Sequence, residues 1–211
     1  SSPEAVSEPF TMVGLGGSPA RVSSSRPALA IALRGAEEAG AETELLDLRE
    51  LDLPMFNPEA EELTESTMRM VGRLESADGL LWSSPLYQGT VSGAFKNALD
   101  WLHLPSGSVY LTDKVIGLIS AAGGGQGLQA INTMEFSVRS LRGWAVPFVV
   151  PVSSAARLFD DEGRLQDEAV ERQLKMLGSE VVRVAEHFRV EESPDHEAEC
   201  EKARSRVAAA A

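Results

Sequence analysis

Short apolar runs alternate with longer stretches of helical periodicity along the chain, and the alternation repeats five times. Thr11-Met-Val-Gly-Leu-Gly16 is an apolar run closed by glycines and predicts a buried first strand. From Pro27 to Gly40, Leu29, Leu33 and Ala36 share one helical face. A proline stands near the start of that stretch and a glycine past its end, as helix termini favour. Residues 43–49 predict a second strand, and a polar segment with Pro54 and Pro58 separates it from a helix over about 64–76. A third strand is expected at 78–83, followed by a helix that carries Lys96, Asn97 and Asp100 and runs to about Leu104. A fourth strand at 114–121 and a helix at about 128–141 lead to a fifth strand at 144–152. Pro147 interrupts that last strand, which puts it toward a sheet edge. A turn at 159–165 then opens an amphipathic helix near 168–188.

Strands alternating with helices predict an α/β domain, a parallel sheet covered on both faces. Right-handed crossovers leave few topologies, and the doubly wound order 2-1-3-4-5 sets the loops after strands one, three and four side by side. The domain is expected over 11–190, with residues 1–10 as an N-terminal extension. Residues 191–211, charged and then alanine-rich, have little to bury and are expected to form a mobile tail or an isolated helix.

At 211 residues the chain suits one such domain with a sizeable core, and 43% hydrophobic residues is a globular composition. No apolar run reaches transmembrane length. Residues 1–9 lack the basic and apolar regions of a secretory signal. One cysteine, Cys200, rules out an internal disulfide framework and favours a reducing compartment, so a cytoplasmic location is expected. The net charge of −13 argues against nucleic acid or an anionic membrane as partner. Acidic residues are nonetheless missing between Glu8 and Glu37, and only Asp100 and Asp113 occur between Gly79 and Met134. Buried strands produce such gaps, but these two also hold all the glycine-rich loops, as a site for an anionic ligand requires.

The first loop, residues 16–26, carries Ser18, Ser23, Ser24 and Ser25 with Arg21 and Arg26 ahead of a helix. Free backbone N–H groups and the helix dipole at such a place attract an anion, and hydroxyls and guanidinium groups reinforce it. An ordinary helix cap would need only two serines. A Walker loop is excluded because the stretch has no lysine, and a dinucleotide fingerprint because Pro19 stands where its last glycine belongs. Asp47 comes later than the acid that would bind a ribose. A mononucleotide phosphate fits best.

The second loop begins at Ser84-Pro-Leu-Tyr-Gln-Gly89, just past the third strand, where open α/β sheets bind ligands. Pro85, Gly89 and Gly93 permit unusual backbone there, and Tyr87 with exposed amides suits a flat, polar-edged ring. In the third loop, Gly123, Gly124 and Gly125 leave the backbone open to close approach, although such glycines also occur simply to relieve strain. His103, His187 and His196 are scattered and suggest neither zinc nor a triad. Cys200 sits among acids that disfavour a thiolate. Met68, Met70, Met134 and Met176 are expected to fill the core. Lys96 is expected on a solvated helix face, paired with Asp100 at i+4. Trp101 and Leu102 are expected in the core or at an oligomer face.

Pro-x-Tyr-x-Gly…Gly-x-x-Lys-Asn-x-x-Asp in the second loop and helix, with a Gly-Ser-Pro first loop, resembles the NADPH-dependent FMN reductases over about residues 11–190. The arginine of the first loop comes one place late, at Arg21. The resemblance implies a flavodoxin-like three-layer α/β/α sandwich with a five-stranded parallel sheet. It also implies FMN as cofactor and NADPH or NADH as hydride donor, with electrons passing to free flavin or another small-molecule acceptor. It assigns Ser18, Arg21, Ser23 and Ser25 to the phosphate, and Pro85, Leu86, Tyr87, Gly89, Gly123, Gly124 and Gly125 to the ring. No catalytic acid or base and no metal is implied, because the cofactor performs the hydride chemistry and the protein aligns it. A homodimer or homotetramer is implied as well. A reductase of quinones, azo compounds or metal oxyanions with prosthetic FMN, a flavodoxin-type carrier, and a flavin-free scaffold remain as alternatives. Arg139, Arg142 and Arg157 are unranked candidates for a nicotinamide 2′-phosphate.

Overall fold

The computed structural model describes residues 9–104, 107–160 and 162–190. The proposed tail at 191–211, with His196 and Cys200, lies outside them, as do residues 1–8. The elements run β1 (Thr11–Gly16), α1 (Ser25–Glu38), β2 (Glu42–Asp47), α2 (Leu48–Leu51), α3 (Glu65–Ser76), β3 (Gly79–Tyr87), β4 (Thr90–Val91), α4 (Gly93–Asp100), β5 (His103–Leu104), β6 (Gly107–Ser108), β7 (Val115–Ala121), α5 (Leu128–Ser140), β8 (Trp144–Ala145), β9 (Val150–Val152), α6 (Ala155–Leu158) and α7 (Glu168–Val190).

The sheet runs β2-β1-β3-β7 in parallel, and β8 and β9 share the outer edge of β7. This is the 2-1-3-4-5 order, with the fifth strand split where Pro147 removes a donor. Alternation along the strands divides the core in two. Val13, Leu15, Leu80, Trp82, Ile116 and Leu118 face α3, α4 and α5, while Met12, Leu81, Val115 and Ile119 face α1 and α7. Helices α1 and α7 touch backbone to backbone at two glycines. A Cβ on Gly35 would stand 2.1 Å from the Lys175 carbonyl oxygen, and one on Gly178 1.9 Å from that of Ala32.

Several boundaries differ from expectation. Strand β3 runs on through Pro85 to Tyr87, because a two-residue turn at Gln88 and Gly89 folds the chain back as β4. Both turn residues have positive φ, +48° and +84°, as the tight hairpin turn requires. Helix α4 ends at Asp100 instead of continuing to 104, and His103–Leu104 pairs with Gly107–Ser108. Helix α1 begins two residues before Pro27, so its first turn belongs to the first loop. Met70 and Met134 are fully buried, but Met68 and Met176 are 54% exposed and do not fill the core.

Candidate functional site

The register of the sheet gathers three loops at its carboxyl edge. Gly16 pairs with Ser83, Ser84 with Ser120, and Pro85 with Ala121, so the chain leaves β1, β3 and β7 at one level. Three serines with fully buried side chains, which the sequence patterns did not single out, fasten these exits. Ser83 Oγ donates to the Ser25 carbonyl at 2.8 Å and ties the first turn of α1 to β3. Ser84 Oγ accepts the Ser92 N–H at 2.9 Å and donates to the Pro85 carbonyl, which sets the root of the hairpin. Ser120 Oγ donates to the Gly127 carbonyl at 2.8 Å across the third loop. Buried hydroxyls need such partners, and here the partners are loop carbonyls and an amide. The recognisable signal was serine at the end of otherwise apolar strands, the pair Ser83-Ser84 before Pro85 and the single Ser120 between Ile119 and Ala121.

In the first loop, Gly17 turns the chain at φ +95°. Ser18 is 3% exposed, and its hydroxyl lies 3.3 Å from the Tyr87 hydroxyl, which joins the first loop to the second. Ser23 and Ser25 hydroxyls meet at 2.8 Å, and Ser25 is fully buried, so Ser25 holds Ser23 from inside. Among the described residues, the N–H groups of Arg21, Val22, Ser23 and Ser24 reach no acceptor. A recess of about 540 Å³ opens beside Ser18, Arg21, Ser23 and Arg26. Donors without acceptors, at a helix start, next to two guanidinium groups, fit a phosphate.

Tyr87 is half exposed at the hairpin tip and Leu86 is half-buried. Gly89 leans on α5, where Thr90 and Thr133 hydroxyls meet at 3.0 Å. In the third loop a Cβ on Gly123, Gly124 or Gly125 would meet no atom within 4 Å. The chain's own packing therefore does not require glycine there, and the N–H groups of these residues find no acceptor among the described residues. Open space over free amides fits the edge of a flat acceptor-bearing ring such as a flavin.

Lys96 pairs with Asp100 at i+4, the lysine exposed and the carboxylate partly so. Asn97 and Trp101 instead pin the preceding segment. Asn97 Nδ2 and Trp101 Nε1 both donate to the Pro54 carbonyl, at 2.9 and 2.8 Å, and Asn97 Oδ1 accepts the Phe56 N–H at 2.7 Å. Trp101 and Leu102 are core residues. Of the arginines considered for a second phosphate, Arg142 stacks on Tyr110 and precedes Trp144, the partner of Val115 at the amino end of β7. That end lies about 20 Å from the site by strand rise. Arg139 ends α5 at the same level, whereas Arg157, on α6, follows the carboxyl end of β9 and is exposed.

Order 2-1-3-4-5, helices on both faces and a mononucleotide-sized cradle at the carboxyl edge define a flavodoxin-like α/β protein. The family model for NADPH-dependent FMN reductases matches residues 10–157, and the chain belongs to that family. It is 34% identical over 119 residues to the NADPH-dependent FMN reductase ArsH of Acidithiobacillus ferrooxidans, covering 56% of this chain and 47% of that protein. It is 30% identical over 148 residues to an FMN-dependent NADPH-azoreductase of Staphylococcus aureus, covering 67% and 77%. The chain spans about half to three fifths of the length of the two ArsH relatives, from Acidithiobacillus ferrooxidans and Rhizobium meliloti. Among solved structures, the flavoenzyme FerB of Paracoccus denitrificans superposes with a TM-score of 0.69 at 22% identity, covering 84% of this chain and 98% of that one.

Proposed function

We propose that this protein is an FMN-dependent NAD(P)H oxidoreductase that takes hydride from a reduced nicotinamide and passes electrons to free flavin or another small acceptor. The observation that carries this reading is the convergence of the three loops. Unanswered donors of the first loop and open amides of the third stand on either side of the hairpin that carries Tyr87. Family membership supports it. When bound, FMN would supply the ring nitrogen that accepts hydride.

The chain's own residues bind and orient. Ser18, Ser23 and Arg21 hold the phosphate, with Ser25 supporting Ser23 from below. Pro85, Leu86, Tyr87 and Gly89 form one wall of the ring site. Amides of Gly123, Gly124 and Gly125 donate to the edge of the ring that becomes electron-rich on reduction, where fixed dipoles are most effective. No side-chain acid or base is assigned, since Lys96 is engaged on the surface by Asp100. Of the three arginines, Arg157 is the one proposed to read a 2′-phosphate, a reading supported by its exposed position after the carboxyl end of β9. Relatives that carry azoreductase names support azo compounds as acceptors alongside flavin. Exposed Leu128 and Phe136 on α5, beside the hairpin, support contact between copies in a homodimer or homotetramer. Among the described residues no helix is long and apolar enough to cross a membrane. A cytoplasmic location rests on the single cysteine.

The test is the absorbance spectrum of protein purified without added flavin, then anaerobic titration with NADPH and with NADH. Bleaching of bound flavin by one of them is expected. Flavin that stays yellow leaves an electron carrier, and failure to quench FMN fluorescence leaves a flavin-free scaffold. Steady-state rates with free FMN, a quinone and an azo dye then show whether flavin departs between turnovers.

A further inference from the structure

Asp47, set aside on sequence spacing, lies beside the first loop. It is the last residue of β2, pairs with Gly16 in the sheet and is 5% exposed. Its Oδ2 accepts the Arg26 Nε–H at 2.7 Å, and its Oδ1 accepts the Arg49 N–H at 2.9 Å. A Cβ on Gly17 would fall 2.8 Å from Oδ1 and 3.8 Å from the Arg26 Cβ, so carboxylate, turn glycine and arginine stem are in mutual contact. Arg26 is half exposed, and its two Nη groups have no partner among the described residues. Asp47 and Arg26 line the same recess as Ser18 and Ser23.

We infer that Asp47 is a positioning residue, which holds the Arg26 guanidinium by Nε so that its Nη edge faces the phosphate of a bound flavin mononucleotide. This rests on the flavin reading above and adds to it the group that makes binding depend on the phosphate. An arginine free to wander loses much rotamer freedom when it binds an anion. One already held at Nε by a buried carboxylate has lost that freedom beforehand. Asp47 is itself fixed from three sides, by β2, by the Arg49 amide and by the Gly17 turn. The same contacts give Gly17 its role, since a side chain there would displace the carboxylate.

Charge and positioning predict opposite signs for Asp47→Asn. Removing a negative charge beside an anion site strengthens anion binding if charge alone matters. If Asp47 acts by orienting Arg26, the same change weakens it. The experiment is a fluorescence-quenching titration of the full chain with FMN and with riboflavin, which lacks the phosphate, for wild type, Asp47→Asn, Arg26→Gln and the double variant. Asp47→Asn is expected to weaken FMN about tenfold, the size of one lost charge-assisted contact, and to leave riboflavin unchanged. In the Arg26→Gln background the same change is expected to cost nothing further. Unchanged or tighter FMN binding, an equal loss for riboflavin, or additive losses in the double variant overturns the inference. Wild type that quenches neither ligand overturns the flavin reading itself, an outcome distinct from all of these.

Discussion

Gly16 is the point where packing of the sheet and geometry of the site meet. A Cβ there would stand 2.4 Å from the Ser83 carbonyl oxygen and 3.0 Å from the Ser83 Cβ. Restoring ordinary contact requires β1 and β3 to separate by about 1 Å, and the obstacle is backbone, which cannot rotate away. Gly14, two residues earlier on the same strand, meets only Leu33 and Leu29 side-chain atoms at 2.9–3.1 Å, which can shift. Gly16→Ala is therefore expected to cost about 2–3 kcal/mol and Gly14→Ala about 1 kcal/mol. For a domain of this size that lowers the thermal midpoint of Gly16→Ala by roughly 5–10 °C. The damage also reaches the site, because Ser83 Oγ carries the Ser25 carbonyl at the root of the first loop. A shift of that size at a binding loop is expected to weaken FMN by about tenfold or more. Urea unfolding followed by circular dichroism and FMN fluorescence titration measure the two effects. Equal stability of the two alanine variants, with FMN affinity unchanged in both, would refute the steric argument.

Gly124→Val is expected to change stability by less than about 0.5 kcal/mol, because nothing lies within 4 Å of its Cβ position, yet to weaken flavin binding, as calorimetry would register. Loss of stability with intact binding would show that the glycine serves the fold. Lys96→Gln removes an exposed i,i+4 pair and is expected to cost under about 1 kcal/mol, with the anaerobic rate of flavin reduction by NADPH unchanged. A large rate loss would make Lys96 part of the machinery. Partial burial works to raise the Glu44 carboxyl, but hydrogen bonds and charge from Arg69 and Arg73 outweigh it and hold Glu44 below the ordinary glutamate range. A lowered folded-state value means stability present above the unfolded value, about 4.3, and lost as pH falls through the folded one. The stability difference between wild type and Glu44→Gln is therefore expected to be constant near neutrality, to stay below about 1 kcal/mol because both arginines are half exposed, and to vanish in acid. Denaturation curves from pH 7 down to strong acid check the sign.

The local patterns were sufficient for the alternation of strands and helices, since period and punctuation are properties of short segments. Strand β1, helix α3, strand β7 and helix α5 fall within a residue or two of expectation. What failed was decided by neighbours. The extension of β3 through Pro85 depends on β7 lying alongside as far as Ala121, and the hairpin depends on α5 beneath it. Met68 and Met176 have the right chemistry for a core, but their positions on α3 and α7 turn them outward.

By itself the sequence determined that serines, arginines and glycines would follow the first, third and fourth predicted strands, and hence that an anion and a flat ring could be bound. Only the tertiary structure decided which of those groups line the recess and which support it from within. It sank Ser25 beneath Ser23, set Ser83, Ser84 and Ser120 as fasteners of the loops, and brought Asp47 across from the next strand to hold Arg26. Composition of a loop follows from adjacent residues. The partner of a buried hydroxyl or carboxylate follows from strand order and register, which bring together residues distant in the chain.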